Sequence, residues 1–169
     1  MGARVSWDKE KGDLRIKGGD LQSVEVDAGR TPDLVPTIAV LGAVASGKTT
    51  IMNAEHVRHK ETDRLHAMAV ELAKMGADIR ERPDGLEIIG GKLHGASLHG
   101  YHDHRIVMAL TVAGLVAGDT RIDIVTIHYP VAAPSTDYHH WLIDVNAYPG
   151  YIACLIALKA GYKFLISSE

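Results

Sequence analysis

A single cysteine, Cys154, and the lack of any apolar run long enough to span a membrane set the first limits on this 169-residue chain. A lone cysteine cannot close an internal disulfide, and Met1 is not followed by a charged segment and an apolar leader core. The expected setting is therefore reducing and cytoplasmic. An excess of charge of either sign is also missing: 18 basic against 21 acidic residues leave a net charge of −3. With no global pull toward nucleic acid or acidic lipid, neither is expected as a partner, and anion binding must come from local arrangement. What remains, 46% hydrophobic and 23% charged residues, is the composition of one ordinary domain with a real core.

Residues 56–65, HVRHKETDRL, concentrate the chemistry. Lys60, Glu61 and Arg64 stand just before an apolar stripe, Leu65, Met68, Ala69, Leu72 and Gly76, at helical spacing. Thr62 is the expected N-cap of that helix. Lys60 and Glu61 then lie on the entering loop while Arg64 projects from the first turn, beside unpaired backbone N–H groups.

The chain also repeats itself. Met1-Gly2-Ala3, GDLRIKGGDL at 12–21 and SVEVDAGRTPD ending at Asp33 recur in outline as Met75-Gly76-Ala77, DGLEIIGGKL at 84–93 and ASLHGYHD ending at Asp103, an offset of about 70 residues. Gly76 closes the helix expected over residues 62–75 as a left-handed cap. By the same logic Met1-Gly2-Ala3 follows a helix that precedes it, so the chain is expected to start in mid-unit. Periodicity gives the unit as strand 23–27, helix 34–44, strand 49–53, helix 62–75, and a hairpin of 78–82 and 86–89 around Pro83-Asp84-Gly85. Pro36 places the opening of the first helix between Asp33 and itself. A next copy follows with strand 96–99, helix 103–117 closed by Gly118, and strand 120–124. The fold class is thus α/β, built of β-α-β-α-β-β units. Packed in register, the helix starts carrying Asp33, Lys60-Glu61-Arg64 and His104-Arg105 face one side and form an anion site.

Two other motifs compete for attention. Residues 42–49, GAVASGKT, satisfy the P-loop pattern, with apolar residues 37–41 as the strand it requires, and would imply a nucleotide-binding protein. A helix would then have to start at Lys48, yet Thr49-Thr50-Ile51-Met52-Asn53 is β-prone; a helix ending near Ala45 and turning at Ser46-Gly47 into a strand fits the repeat better. His99, His102 and His104 fall within six positions but straddle a strand-to-helix turn with no cysteine near. No metal site is expected, and His104 reads as a polar first-turn residue of a substrate site.

TPDLVPTIAVLGAVASGKTTI, NAEHVRHKETDRLHAMAVELAKMGA and YHDHRIVMALTVAGL together resemble the C-terminal part of the 5-enolpyruvylshikimate-3-phosphate (EPSP) synthase family, over residues 1 to about 123. KETDRL followed by DHR favours this family over the related enolpyruvyl transferase acting on UDP-N-acetylglucosamine. The resemblance implies an enolpyruvyl transferase fold of two domains, each of three such units, with the site in the cleft between them.

It also implies a transferase that needs no cofactor and moves the enolpyruvyl group of phosphoenolpyruvate to the 5-hydroxyl of shikimate 3-phosphate, through a tetrahedral intermediate. Asp33 would hold hydroxyls of the ring and help take the 5-hydroxyl proton, with Lys60 beside that oxygen. Glu61 would deliver a proton to the methylene carbon of phosphoenolpyruvate. Arg64 and Arg105 would grip its carboxylate and phosphate, for which a guanidinium fork is the suitable donor, and His104 would sit near the same group.

Two departures qualify this. The family's N-terminal domain is not in this sequence, so a complementary domain is an expected partner. After Asp123 the chain also abandons both repeat and resemblance, so residues 1–124 are taken as a partial C-terminal domain and 125–169 as a divergent tail, from a shifted frame or joined foreign sequence. In that tail 131–135 reads as loop, 151–159 as a short helix and 162–166 as a strand. The isolated chain is expected to be catalytically silent but to keep a weak anion site; the alternative is a non-catalytic fragment that associates with a partner.

Overall fold

The apolar stripe after KETDR does form a helix, and its neighbours in sequence fold around it. In the computed structural model, which describes residues 1–9, 13–17, 19–125 and 140–144, the chain runs β1 (Arg4–Asp8), β2 (Asp13–Lys17), β3 (Glu25–Asp27), α1 (Val35–Ala43), β4 (Lys48–Met52), α2 (Arg64–Lys74), β5 (Asp78–Arg82), β6 (Gly85–Ile89), β7 (Ser97–His99), α3 (His104–Ala117), β8 (Arg121–Val125) and β9 (His140–Asp144). Single 3-10 turns, Pro32–Leu34 and Glu55–His59, lead toward α1 and α2.

The unit from β3 to β6 is the expected β-α-β-α-β-β. Its strands form one sheet in the order β3-β4-β6-β5, with β3 parallel to β4 and the other neighbours antiparallel. Ile51 pairs with Leu86 and Thr49 with Ile88, so alternate residues of β4 and β6 turn one apolar face inward. Onto it pack Ala39, Val40 and Ala43 of α1 and Leu65, Met68 and Leu72 of α2; Ile106, Leu110 and Ala113 of α3, which packs against these two helices, are buried in the same core. The next copy begins as parallel β7 and β8 joined through α3, and β1-β2 is the antiparallel hairpin that precedes β3.

The repeat survives at the level of single hydrogen bonds. Gly2 and Gly76 share a left-handed φ, +87° and +86°, which a side chain would strain. The peptide N–H of Gln22 reaches the Met1 carbonyl at 3.0 Å as that of His94 reaches Met75 at 2.9 Å. In the strand-to-helix turns, Asp27 accepts from the N–H of Gly29 at 2.9 Å and His99 from that of Tyr101 at 3.0 Å. Thr31 N–H likewise donates to Ala28 at 3.1 Å and Asp103 N–H to Gly100 at 3.0 Å.

Several expectations are corrected. Asp63, not Thr62, caps α2: its carboxylate accepts from the N–H of His66 at 3.0 Å, and the helix starts at Arg64. The carboxylate also pairs with Arg58, an anchor the threonine hydroxyl lacks. The hairpin turns on Pro83-Asp84 alone, because Gly85 already pairs with Arg82. The P-loop reading fails: residues 37–41 lie inside α1 rather than a strand, and Lys48 opens β4 rather than a helix. The glycines have packing reasons instead. A Cβ on Gly42 would come within 3.0 Å of the Thr49 Cβ, and Gly47 turns the chain at φ +97°. Strand β9, inside the stretch read as a divergent tail, was not expected; it pairs antiparallel with β8. The expected loop, helix and strand at 131–135, 151–159 and 162–166 lie outside the described residues.

Candidate active site

Arg64 is the first residue of α2, and the apolar residues that follow it draw the helix start into the protein until its guanidinium is 1% exposed. A buried cation must be paired on every donor side, and this one is. Its Nε donates to Asp103 Oδ2 at 2.7 Å, Nη1 to Asp33 Oδ1 at 2.9 Å and Nη2 to Glu61 Oε2 at 2.6 Å, with a longer Nη2 bond of 3.4 Å to Asp103 Oδ1. Burial alone would pull its proton affinity down. The Asp103 hydrogen bond and charge, followed by Glu61 and Asp33, outweigh that and hold it above the ordinary arginine value.

Asp33 sits in the 3-10 turn before α1, with its second oxygen, Oδ2, accepting from Arg105 Nη2 at 2.9 Å. One half-exposed carboxylate therefore bridges guanidinium groups from the starts of two helices. Burial raises the Asp33 carboxyl, but the Arg64 hydrogen bond and the charges of Arg105, Arg64 and Lys60 prevail and hold it below the usual carboxylate range.

Arg58 fixes the loop that carries Lys60 and Glu61. It donates to Asp63 at 2.7 Å and Glu81 at 2.6 Å, and to the carbonyls of Pro83 at 2.9 Å and Arg82 at 2.6 Å, clamping the loop onto the β5-β6 hairpin. Burial would lower its proton affinity; the Glu81 and Asp63 hydrogen bonds and charges raise it instead.

The structure thus joins Asp33, Glu61, Arg64 and Arg105 by direct hydrogen bonds. Lys60 is exposed and reaches Asp33 through its charge. His104, the first residue of α3, is half-buried beside Arg105 in sequence, and among the described residues no hydrogen bond or ion pair ties it to the cluster. The expectation that the two arginines face one side holds, but Arg64 is not the open grip the motif suggested, because three carboxylates already occupy it. An incoming anion has to displace Asp33 or Glu61. Sequence reasoning missed Asp103, the fully buried N-cap of α3, which accepts from the Arg105 N–H at 2.8 Å as well as from Arg64. An aspartate immediately before a helix was the available signal. Among the described residues no group of three or more His, Cys, Asp or Glu side chains is arranged to hold a metal ion, and no helix is long and apolar enough to cross a membrane.

Comparison with known proteins gives the family. The family model of EPSP synthase (3-phosphoshikimate 1-carboxyvinyltransferase) matches residues 1–131. The 3-phosphoshikimate 1-carboxyvinyltransferase of Methanothrix thermoacetophila is 74% identical over 133 residues, 77% of this chain and 32% of that protein. That of Methanococcoides burtonii is 62% identical over 133 residues, 77% of this chain and 31% of that protein. Among solved structures, an EPSP synthase from Acinetobacter baumannii aligns with TM-score 0.63 and 26% identity over 99% of this chain and 38% of its own. The enolpyruvyl transferase NikO from Streptomyces tendae aligns with TM-score 0.54 and 28% identity over 72% of this chain and 28% of its own. The chain spans 32% of the length of the first of these curated relatives and 31% of the second. Its α/β units have the enolpyruvyl transferase fold, present in part. The chain belongs to the EPSP synthase (3-phosphoshikimate 1-carboxyvinyltransferase) family.

Proposed function

We propose that this chain supplies one wall of a site that transfers the enolpyruvyl group of phosphoenolpyruvate to the 5-hydroxyl of shikimate 3-phosphate, in a reducing, cytoplasmic setting. Residues 1–124 carry that wall, and a complementary N-terminal domain supplies the other. The observation that supports this best is the convergence of Arg64 and Arg105 on Asp33.

The substrate carboxylate takes the place of Asp33 between the two guanidinium groups, matching a planar anion to their donors. Asp33, released from the cations that hold its proton affinity down, becomes a stronger base and accepts the 5-hydroxyl proton beside Lys60. Glu61, freed from Arg64 and set beside the substrate anions in a desolvated cleft, takes up a proton from solvent as that cleft closes. The 5-oxygen then bonds to C2 of phosphoenolpyruvate while Glu61 gives this proton to the methylene carbon, leaving a tetrahedral adduct. The Glu61 carboxylate then takes a proton back from the new methyl group, and its C–H electron pair restores the double bond as the C–O bond to phosphate breaks and phosphate leaves. Arg105, with His104 beside it in sequence, balances the phosphate charge in this scheme. Such a transition state needs acids, bases and cations fixed in a water-poor cleft, which one open wall does not provide.

The test is phosphate release from phosphoenolpyruvate and shikimate 3-phosphate by the 169-residue chain, alone and with the remaining part of a relative added. Silence alone and turnover on complementation, abolished by Glu61→Gln, is the expected result. Robust turnover by the chain alone would contradict the shared-wall reading. The alternative, a non-catalytic association module, draws on the apolar outer face of α3, where Met108, Val112, Leu115 and Val116 are exposed. Capture of the complementary part without any turnover would favour it.

A further inference from the structure

Glu71 is a fully buried carboxylate that the proposed chemistry does not use. It lies on α2 two turns after Arg64, on the same face of the helix. Its Oε2 accepts from the backbone N–H of His99 at 3.0 Å and its Oε1 from the phenol of Tyr101 at 3.0 Å. Lys74 closes the pocket from the solvent side, 2.8 and 2.9 Å from the two oxygens.

These partners belong to the connection between β7 and α3, where the chain does something costly. Tyr101 and His102 both hold left-handed backbone, φ 53° and 56°, without being glycine. Such a conformation persists only where the surroundings over-determine it. The next residues are Asp103, which anchors Arg64, then His104 and Arg105. Helix α2 therefore grips the connection twice, through Arg64 on Asp103 and through Glu71 on His99 and Tyr101. The corresponding turn of the preceding copy is also pinned from outside, by Asn53 donating to Asp27 at 2.9 Å.

We infer that Glu71 is a positioning residue of the anion site: it holds the strained turn that sets Arg105 against Asp33 and Arg64. The inference deepens the functional reading above and rests on it for the identity of the anion.

The experiment uses the full chain and two readouts. Backbone amide exchange of Asp103 and Arg105 reports the turn itself, and phosphoenolpyruvate titration reports the grip. In Glu71→Ala, protection at Asp103 and Arg105 is expected to fall while β4 and β6 keep theirs, with an affinity loss of about tenfold. The double variant Glu71→Ala, Arg105→Ala should bind no more weakly than Arg105→Ala, because Glu71 acts through Arg105. Glu71→Gln should restore binding, since its amide oxygen still accepts from His99 and its NH2 meets the phenol oxygen. If Glu71→Ala does not fold, Tyr101→Phe removes one of the contacts and carries the same comparison. Unchanged protection at Arg105, or additive losses in the double variant, would overturn the inference. If the unsubstituted chain binds no phosphoenolpyruvate the functional reading fails instead, and amide protection alone then decides for or against Glu71.

Discussion

Arg64 and Asp103, 39 residues apart in the chain, form an ion pair sealed from solvent, with Nε 2.7 Å from Oδ2. Neither charge has water to fall back on, so each is tolerable only with the other in place.

Removing the cation should therefore unfold more than a site. Arg64→Met leaves Asp103 buried without its partner and is expected to lower stability by about 3–5 kcal/mol in urea denaturation. A loss below about 1 kcal/mol would mean the pair is hydrated in solution.

Acid should loosen the same cluster. Asp33 has a folded-state proton affinity below its ordinary value of 3.8, so the stability it contributes is present above that pH and lost as pH falls through the lower, folded value. The stability difference between the unsubstituted chain and Asp33→Asn should accordingly shrink below pH 3.8. A difference that grows on acidification would reverse the assigned sign.

Alkali tests the Glu71 pocket. Burial, then the hydrogen bond to Glu71 and its charge, push the Tyr101 phenol from 10.0 up to about 12. Its stabilising share is fully present below 10.0 and lost as pH rises to about 12. A late tyrosine titration, followed by ultraviolet absorbance, should vanish in Tyr101→Phe. Disappearance of an ordinary titration instead would place the phenol outside the pocket.

Thr49 offers a stabilising change. Its hydroxyl is buried and, among the described residues, has no hydrogen-bond partner. Thr49→Val keeps the shape and removes an uncompensated polar group, and is expected to raise stability by about 1 kcal/mol in thermal melts. A lower melting temperature would point to a water bound at that hydroxyl.

How far the sequence reached depended on the range of the contacts involved. The α2 stripe, the left-handed Gly76 and the β-prone run at Thr49 are local signals, and they placed helix, turn and strand without tertiary information. Convergence of Asp33, Arg64 and Arg105 was legible because a repeat packed in register brings equivalent helix starts together. The choice between Thr62 and Asp63 as cap was not, since both residue types cap well and Arg58 decides between them from outside the helix. Nor was the saturation of Arg64, which depends on partners 31 and 39 residues away. The pairing of Glu71 was equally out of reach, its partners lying 28 and 30 residues further on.

The central claim is that Arg105 and Arg64 hold a phosphoanion where Asp33 now lies. Phosphoenolpyruvate titrated into the full chain by calorimetry measures it directly. Two charge-assisted contacts of about 1.5–3 kcal/mol each predict a dissociation constant of roughly a millimolar. Arg105→Ala, a change at a partly exposed residue, should weaken that binding by about tenfold or more, the loss of one charge-assisted contact, and Asp33→Ala should strengthen it by removing the competing carboxylate. Binding unchanged by Arg105→Ala, or weakened by Asp33→Ala, would contradict the account.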